Sequence, residues 1–427
     1  MISRTTASEC YVYITLPEET EFVTAGKFEL TTDLRGNPTG KFVYGRSYLA
    51  RDNAVPIDPI ELKLSTKTYE TNLLKGVFGA LRDASPDSWG RRVIEKYTGQ
   101  TQLGEIDYLL HSPDDRAGAL GFGLNKEPPA PRRKFNQTID LERLQELADL
   151  IIADEDLPDG AEAEQAQKLM GGNGTSMGGA RPKAVVEDKD GLWIAKLRHA
   201  KDKWNDARVE HAMLMLAREC GLHVAENKVV TIGEHDAVLI KRFDREIKTA
   251  GYRRGRMLSA LTLLRSDESY QDREKWSYVL LVEELRRISS QPRTDAPELF
   301  RRMCFNALIS NIDDHPRNHA VIAMNTDWKL SPAYDLTPST PVSTERRDLA
   351  LDCGDMGRYA HAENLLSQSA RFLLEPDEAR KTIDEMEQIV KNNWYDIARR
   401  EGVTEKDCER IASAFAYPGF RLEIPTR

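Results

Sequence analysis

The chain has 427 residues, 40% of them hydrophobic and 30% charged, with a formal net charge of -9. That length leaves room for two or three domains with substantial cores, and the acidic excess argues against bulk nucleic-acid affinity by this chain alone. No uninterrupted apolar run approaches the roughly 20 residues of a membrane helix, Met1-Ile2-Ser3-Arg4 does not lead into a signal peptide, and Cys10, Cys220, Cys304, Cys353 and Cys408 make no metal-type pair. These features predict a cytoplasmic protein with reduced thiols and no membrane association.

In chain order, Cys10 to Leu16, Lys27 to Thr31 and Lys41 to Tyr44 read as short strands, with Asp33 to Pro38 as a hairpin connection. Helical spacing begins at Leu73 and runs through Phe78-Gly79-Ala80-Leu81, then from Ser88 to Tyr97, and for a turn or two from Glu105 to Leu110. Nothing in this part has catalytic spacing, so a small β-plus-α module for packing or partner binding is expected. Glu127 to Lys134 is a Pro-rich, basic linker. Asp140 to Ile152 follows as an amphipathic helix.

Gly171 to Lys183 is rich in glycine, which lets a backbone approach phosphate oxygens and aim N–H groups at them. It matches neither Walker A nor the kinase G-x-G-x-x-G, and a flexible linker has the same composition. Its placement adds meaning, because strands Ala184 to Glu187 and Leu192 to Leu197 follow, and the second carries Lys196. In kinases the lysine on such a strand holds the α- and β-phosphates. Asp206 to Cys220 reads as a helix stopped by Gly221, where Glu210 is either a partner for Lys196 or a solvated carboxylate. Asn227 to Ile232 and Ala237 to Phe243 form another hairpin, and helical segments are expected from Met257 onward. The basic run Tyr252-Arg253-Arg254-Gly255-Arg256 is expected in a surface loop.

A helix predicted over Pro297 to Ser310 leads into Asn311-Ile312-Asp313-Asp314-His315-Pro316-Arg317-Asn318. Ala320 to Met324 then reads as a strand, Asn325 to Asp327 as a turn and Trp328 to Leu330 as the return, ending near Asp335. Alone, Asp-x4-Asn is also the composition of a turn. With the hairpin and Asp335 it has the layout of phosphoryl transfer: one Asp orienting a hydroxyl, an Asn five positions later and a second Asp binding metal. Helices near 361–375, 376–399 and 404–415 are expected to finish the chain.

Glycine loop, strand lysine, hinge, Asp/Asn loop and metal Asp thus occur in kinase order. Through Ser176-Met177-Gly178-Gly179-Ala180-Arg181-Pro182-Lys183, Ile194-Ala195-Lys196-Leu197, Arg242-Phe243-Asp244-Arg245, Asp313-Asp314-His315-Pro316-Arg317-Asn318 and Tyr334-Asp335-Leu336-Thr337-Pro338, the chain closely resembles the HipA family. These are the serine/threonine kinase toxins of bacterial toxin–antitoxin modules, and the resemblance covers nearly the whole chain. It implies an α+β, bilobal protein-kinase-like fold, with a small β-rich lobe and a large helical lobe, preceded by a small β-plus-α amino-terminal module. The expected boundaries are 1–125 for the module, 138–245 for the nucleotide-binding lobe and 246–427 for the helical catalytic lobe.

The same resemblance implies ATP and Mg²⁺ as cofactors. Asp313 would be the catalytic Asp, and Asn318 and Asp335 the metal ligands. Gly178, Gly179, Ala180, Arg181, Pro182 and Lys183 would form the nucleotide loop, Lys196 would contact phosphates, and Lys241, Arg242 and Phe243 would form the hinge. His315, Pro316, Arg317 and Tyr334 fall in nucleotide-contact segments, and Ser176 matches the autophosphorylated serine. Arg181-Pro182 and Lys241 depart from the residues common in the family at those places. The implied partners are a protein substrate, typically an aminoacyl-tRNA synthetase, and a small helix-turn-helix, HipB-like antitoxin through which DNA is reached. A catalytically weak corepressor and a small-molecule kinase are the rival readings.

Overall fold

The computed structural model describes residues 8–101, 103–131, 134–154, 181–340 and 343–423. It has the mixed α and β content expected. The chain divides into two compact units, and neither is a continuous stretch of sequence. The first comprises residues 1–199, 241–265 and 322–328; the second comprises 200–240, 266–321 and 329–427. These units cut across the linear boundaries 1–125, 138–245 and 246–427, because residues 241–265 belong with the amino-terminal part.

The first unit opens with an antiparallel sheet in which the strand Phe22–Thr32 lies between Glu9–Thr15 and Pro38–Tyr44. Tyr69–Thr71 and Leu120–Gly123 form its edges. Alternation places Val12, Ile14, Phe28 and Phe42 fully inside, as a one-sided sheet requires. The expected helical run from Leu73 is corrected. Leu74 and Lys75 have φ of 50° and 58° and Gly76 has 77°, a left-handed turn, and the helix starts only at Gly79. Close backbone approach sets this turn: a Cβ on Gly40 would lie 1.8 Å from the Gly76 carbonyl oxygen.

The helix Ser88–Thr98 is capped by Asp87, whose Oδ1 accepts from the Gly90 N–H at 2.9 Å. The hairpin Lys183–Asp188 and Gly191–Lys196 pairs in register from Lys183 opposite Lys196 to Asp188 opposite Gly191. The basic run at 252–256 is a second correction. It lies on the strands Gly251–Arg254 and Arg256–Ser259, and Arg253, Arg254 and Arg256 are all buried. Arg253 pairs with Glu246 and Glu18, Arg254 with Asp114, and Arg256 donates to the Pro56 and Asn325 carbonyls. Charges in such a run are a solvated face only if nothing acidic or carbonyl-rich folds over them, and here residues distant in sequence do. Likewise, the segment after Met257 is strand to Ser259 before the short helix Ala260–Leu263.

The second unit is mainly helical: Asp206–Glu219, Tyr278–Ile288, Pro292–Leu308, Pro376–Arg400 and Glu405–Ile411. Pro292–Leu308 is buried nearly all round, with Leu299, Phe300, Met303, Phe305 and Leu308 fully inside. It begins five residues before the expected start at Pro297. Pro292 occupies its first turn, where a missing N–H costs nothing. Asp295 is buried and accepts from Ser289, Gln291 and the Leu330 N–H. Glu210 is buried on the helix Asp206–Glu219, which removes the solvated alternative for that carboxylate. All five cysteines are free and buried. Among the described residues no helix is long and apolar enough to cross a membrane.

Candidate active site

The Asp/Asn loop is positioned by the end of the helix Pro292–Leu308. The Asn311 N–H donates to the Asn306 carbonyl at 2.8 Å and the Ser310 N–H to the Ala307 carbonyl at 3.3 Å, a Schellman closure. Ser310 takes the left-handed position, φ 53°, that glycine usually fills. Its hydroxyl explains why serine is tolerated, since it donates to the Ala414 carbonyl and accepts from Arg347 Nη1, both at 2.6 Å. The chain therefore leaves the helix in a fixed direction.

Within the loop, the Asp313 carbonyl accepts from the His315 N–H at 2.8 Å, and Pro316–Asn318 form one 3-10 turn closed from the Asn318 N–H to the His315 carbonyl at 2.9 Å. Asp313 is exposed while its neighbour Asp314 is buried. Asn318 is buried, and its Nδ2 donates to the Asp313 carbonyl at 3.4 Å. Its Oδ1 has no hydrogen-bond partner among the described residues. Asp335 is half-buried in a left-handed conformation, φ 58°, and strain of that kind in a non-glycine residue clusters at functional sites. The Asn311 Nδ2 donates to the Asp335 carbonyl at 3.5 Å, and the Tyr334 hydroxyl to the Arg317 carbonyl at 2.7 Å, so the returning end of the hairpin is tied to the loop at two points. Arg317 pairs with Glu268 at 2.7 Å.

Burial by the surrounding protein pushes the Asp313 carboxyl above the usual range even though the residue reaches solvent. His315 opposes the shift, and the Asp335 and Asp314 carboxylates add to it. Arg273 opposes the shift as well, so the acids that converge here have basic groups beside them. Among the described residues no cluster of three or more His, Cys, Asp or Glu could hold a metal alone. Mg²⁺ does not need one, since it is commonly held by one or two carboxylates plus substrate phosphates and water. The orphaned Asn318 Oδ1 and the Asp335 carboxylate have the hard-oxygen chemistry such an ion takes.

The remaining expected residues lie in the first unit. Ser176, Gly178, Gly179 and Ala180 lie outside the described residues. Pro182 accepts from the Leu197 N–H at 2.9 Å and Arg181 Nη1 donates to the Leu197 carbonyl at 3.5 Å, anchoring the start of the hairpin. The Lys183 side chain is buried and its ammonium sits 2.5 Å from Asp87 Oδ2. The Trp89 Nε1–H donates to the Lys183 carbonyl at 3.2 Å. Lys196, its cross-strand partner, is only half-buried. Of the expected hinge, Lys241 lies over the Trp193 ring at 5.6 Å and Phe243 packs beside Ala117 and Ile194. Arg242 points inward. It donates to the Asp115 carbonyl, the Arg116 carbonyl at 2.9 Å and Asp244 at 2.7 Å. Asp244 also accepts from the Gly118 N–H at 2.9 Å and pairs with Arg245 at 2.7 Å. Only the Arg242 backbone, whose N–H donates to the Leu192 carbonyl at 2.9 Å, remains on the strand side.

Sequence reasoning missed Tyr278, Asn306, Asp314 and His319 behind the loop. Nothing in the sequence pointed to Tyr278.

Comparison places these features in a known protein type with an amino-terminal and a carboxy-terminal part. Residues 23–123 match the HipA N-terminal domain, and residues 175–394 match the HipA-like C-terminal domain. The second match alone spans just over half of the sequence, and the chain belongs to the HipA family. A structure from Shewanella oneidensis MR-1, of the toxin–antitoxin system HipA, HipB and its operator DNA, is similar at TM-score 0.68 and 16% identity. The match covers 94% of each chain, and at that identity it is the fold that is shared. The proinflammatory kinase CtkA of Helicobacter pylori matches at TM-score 0.37 and 14% identity over 57% of this chain and 91% of that one, too weakly to carry an argument. No curated protein matches the chain by sequence.

Proposed function

We propose that the chain is an ATP-dependent serine/threonine protein kinase, the toxin of a bacterial toxin–antitoxin module, acting in the cytoplasm on a protein of the translation machinery such as an aminoacyl-tRNA synthetase. The observation that carries this reading is the loop geometry: an exposed Asp313, a buried Asn318 that donates to the Asp313 carbonyl through Nδ2 and has an orphaned Oδ1, and a strained Asp335 whose carbonyl is held by Asn311 of the same loop. Asp313 would accept a hydrogen bond from the substrate hydroxyl and orient it in line with the γ-phosphorus. As the new O–P bond forms, the hydroxyl proton would pass to the Asp313 carboxylate, the bond from the γ-phosphorus to the β-phosphate oxygen breaks and ADP leaves. Asn318 and Asp335 would hold Mg²⁺, which when bound neutralises charge on the phosphate oxygens. Lys196 would contact phosphates, and Ser176 would be the autophosphorylation site. The antitoxin would be a HipB-like protein, the kind of partner that accompanies the Shewanella HipA with its operator DNA.

The test is incubation of the purified protein with labelled ATP and Mg²⁺, with and without a cell lysate. Label on Ser176 and on one lysate protein is expected, with transfer falling by roughly 10²-fold or more in Asp313→Asn, the range of a positioned acid–base group. Equal transfer by wild type and Asp313→Asn would overturn the assignment. Absence of any turnover by wild type would favour the corepressor reading.

A further inference from the structure

Behind the loop lies a hydrogen-bond relay that touches a neighbour, or the backbone, of each of the three residues given chemical roles. Asp314 is 1% exposed, His319 2%, Asn306 and Tyr278 0%. The Tyr278 hydroxyl donates to Asp314 Oδ2, and His319 Nε2 lies 3.0 Å from that same oxygen. Facing a carboxylate, Nε2 carries the proton and donates. The Tyr278 oxygen in turn accepts from Asn306 Nδ2 at 3.0 Å. Asn306 Oδ1 accepts from Asn311 Nδ2 at 3.0 Å, and Asn311 reaches the Asp335 carbonyl at 3.5 Å. One continuous chain of side chains therefore runs from Asp335 to Asp314, the residue after Asp313, and on to His319, the residue after Asn318.

We infer that this relay, with Tyr278 at its centre, sets the spacing of Asp313, Asn318 and Asp335, and that Tyr278, Asp314 and His319 are positioning residues for phosphoryl transfer. The inference rests on the kinase reading above. A buried carboxylate is costly to leave without partners, so Asp314 has a strong preference for the one place where both Tyr278 and His319 reach it. That place fixes the loop at each end of the 313–318 stretch. Tyr278 is rigid in its own right. Its N–H donates to the Asp352 carbonyl at 2.9 Å, it opens the helix Tyr278–Ile288 behind the capping Ser277, and its ring meets that of His319 edge-on at 5.3 Å. Because the relay lies beneath the exposed Asp313 and is itself buried, its loss shifts the reacting groups without deleting any of them. Misplacement by about 1 Å is enough to slow a reaction roughly 10²-fold.

Tyr278→Phe keeps the ring and removes only the shared hydroxyl. His319→Leu removes the donor, while His319→Gln can return an N–H near the Nε2 position. Steady-state labelling gives kcat and KM for ATP, and titration with a fluorescent ATP analogue gives affinity, each at a temperature below the melting transition recorded for that variant. Tyr278→Phe and His319→Leu are expected to lower kcat by roughly 10-fold to 100-fold with nucleotide affinity close to wild type, and His319→Gln to recover most of the loss. A folded Tyr278→Phe with wild-type kcat overturns the inference. So does equal loss in His319→Leu and His319→Gln, and that comparison decides the matter if Tyr278→Phe does not fold. Absence of transfer by wild type sinks the kinase reading instead, which keeps the two failures apart.

Discussion

Asp87→Asn separates two roles that one side chain combines. Asp87 Oδ1 caps the helix Ser88–Thr98 through the Gly90 N–H, and Oδ2 lies 2.5 Å from the Lys183 ammonium, with both side chains 3% exposed. Asparagine caps a helix as well as aspartate does, so the substitution spares the cap. It removes this countercharge from a buried ammonium and puts an N–H₂ group where an acceptor stood. Breaking a buried pair from one side costs about 3–5 kcal/mol. Asp87→Ala should cost about 1 kcal/mol more, because the cap is then lost too. Lys183→Met leaves the buried carboxylate with its Gly90 N–H bond but without the Lys183 countercharge, and should cost a similar amount to Asp87→Asn. The double variant Asp87→Asn/Lys183→Met removes both members of the pair and should be far more stable than the sum of the singles predicts, with a coupling of several kcal/mol. Urea unfolding followed by far-ultraviolet circular dichroism measures all four corners of the cycle. Additive singles, or a loss below about 1 kcal/mol in Asp87→Asn, would refute the reasoning.

Burial pushes the Asp58 carboxyl from its usual 3.8 up to about 6, against three backbone N–H bonds from residues 60–62. The folded chain then holds this proton more tightly than the unfolded one, so stability falls as pH rises from about 4 through 6, by about 3 kcal/mol in all; Asp58→Asn should flatten that limb of a urea-midpoint profile. Asp244 has the opposite sign: burial would raise its carboxyl, but Arg242 and Arg245 outweigh burial and hold it well below 3.8. Its contribution is complete above that value and is lost as pH falls below it, and Asp244→Asn should remove this acid-side loss while destabilising the neutral protein. At Ser310, Ser310→Ala should be less stable than Ser310→Gly by about 1 kcal/mol in the same assay, since only glycine relieves the left-handed strain.

Much of the chain could be read directly from its residues, and the reason is locality. The helices Leu141–Ala153 and Asp206–Glu219, the hairpin around residues 183–196 and the hairpin that returns to Asp335 all follow from apolar spacing and turn residues within a dozen positions. The spacing of Asp313 and Asn318 is local in the same sense, because one loop carries both. Tertiary structure decided everything that depended on a distant partner. The arginines at 253, 254 and 256 read as surface charge until residues as far away as Glu18, Pro56 and Asp114 are folded onto them. Lys183, expected in the nucleotide loop, has its ammonium against Asp87, 96 positions earlier, which no local pattern announces. Which member of the Asp313-Asp314 pair faces solvent was likewise settled from outside, by Tyr278 across 36 positions. A buried charge goes where its compensating partner is, and the identity of that partner is a property of the fold rather than of the neighbouring residues.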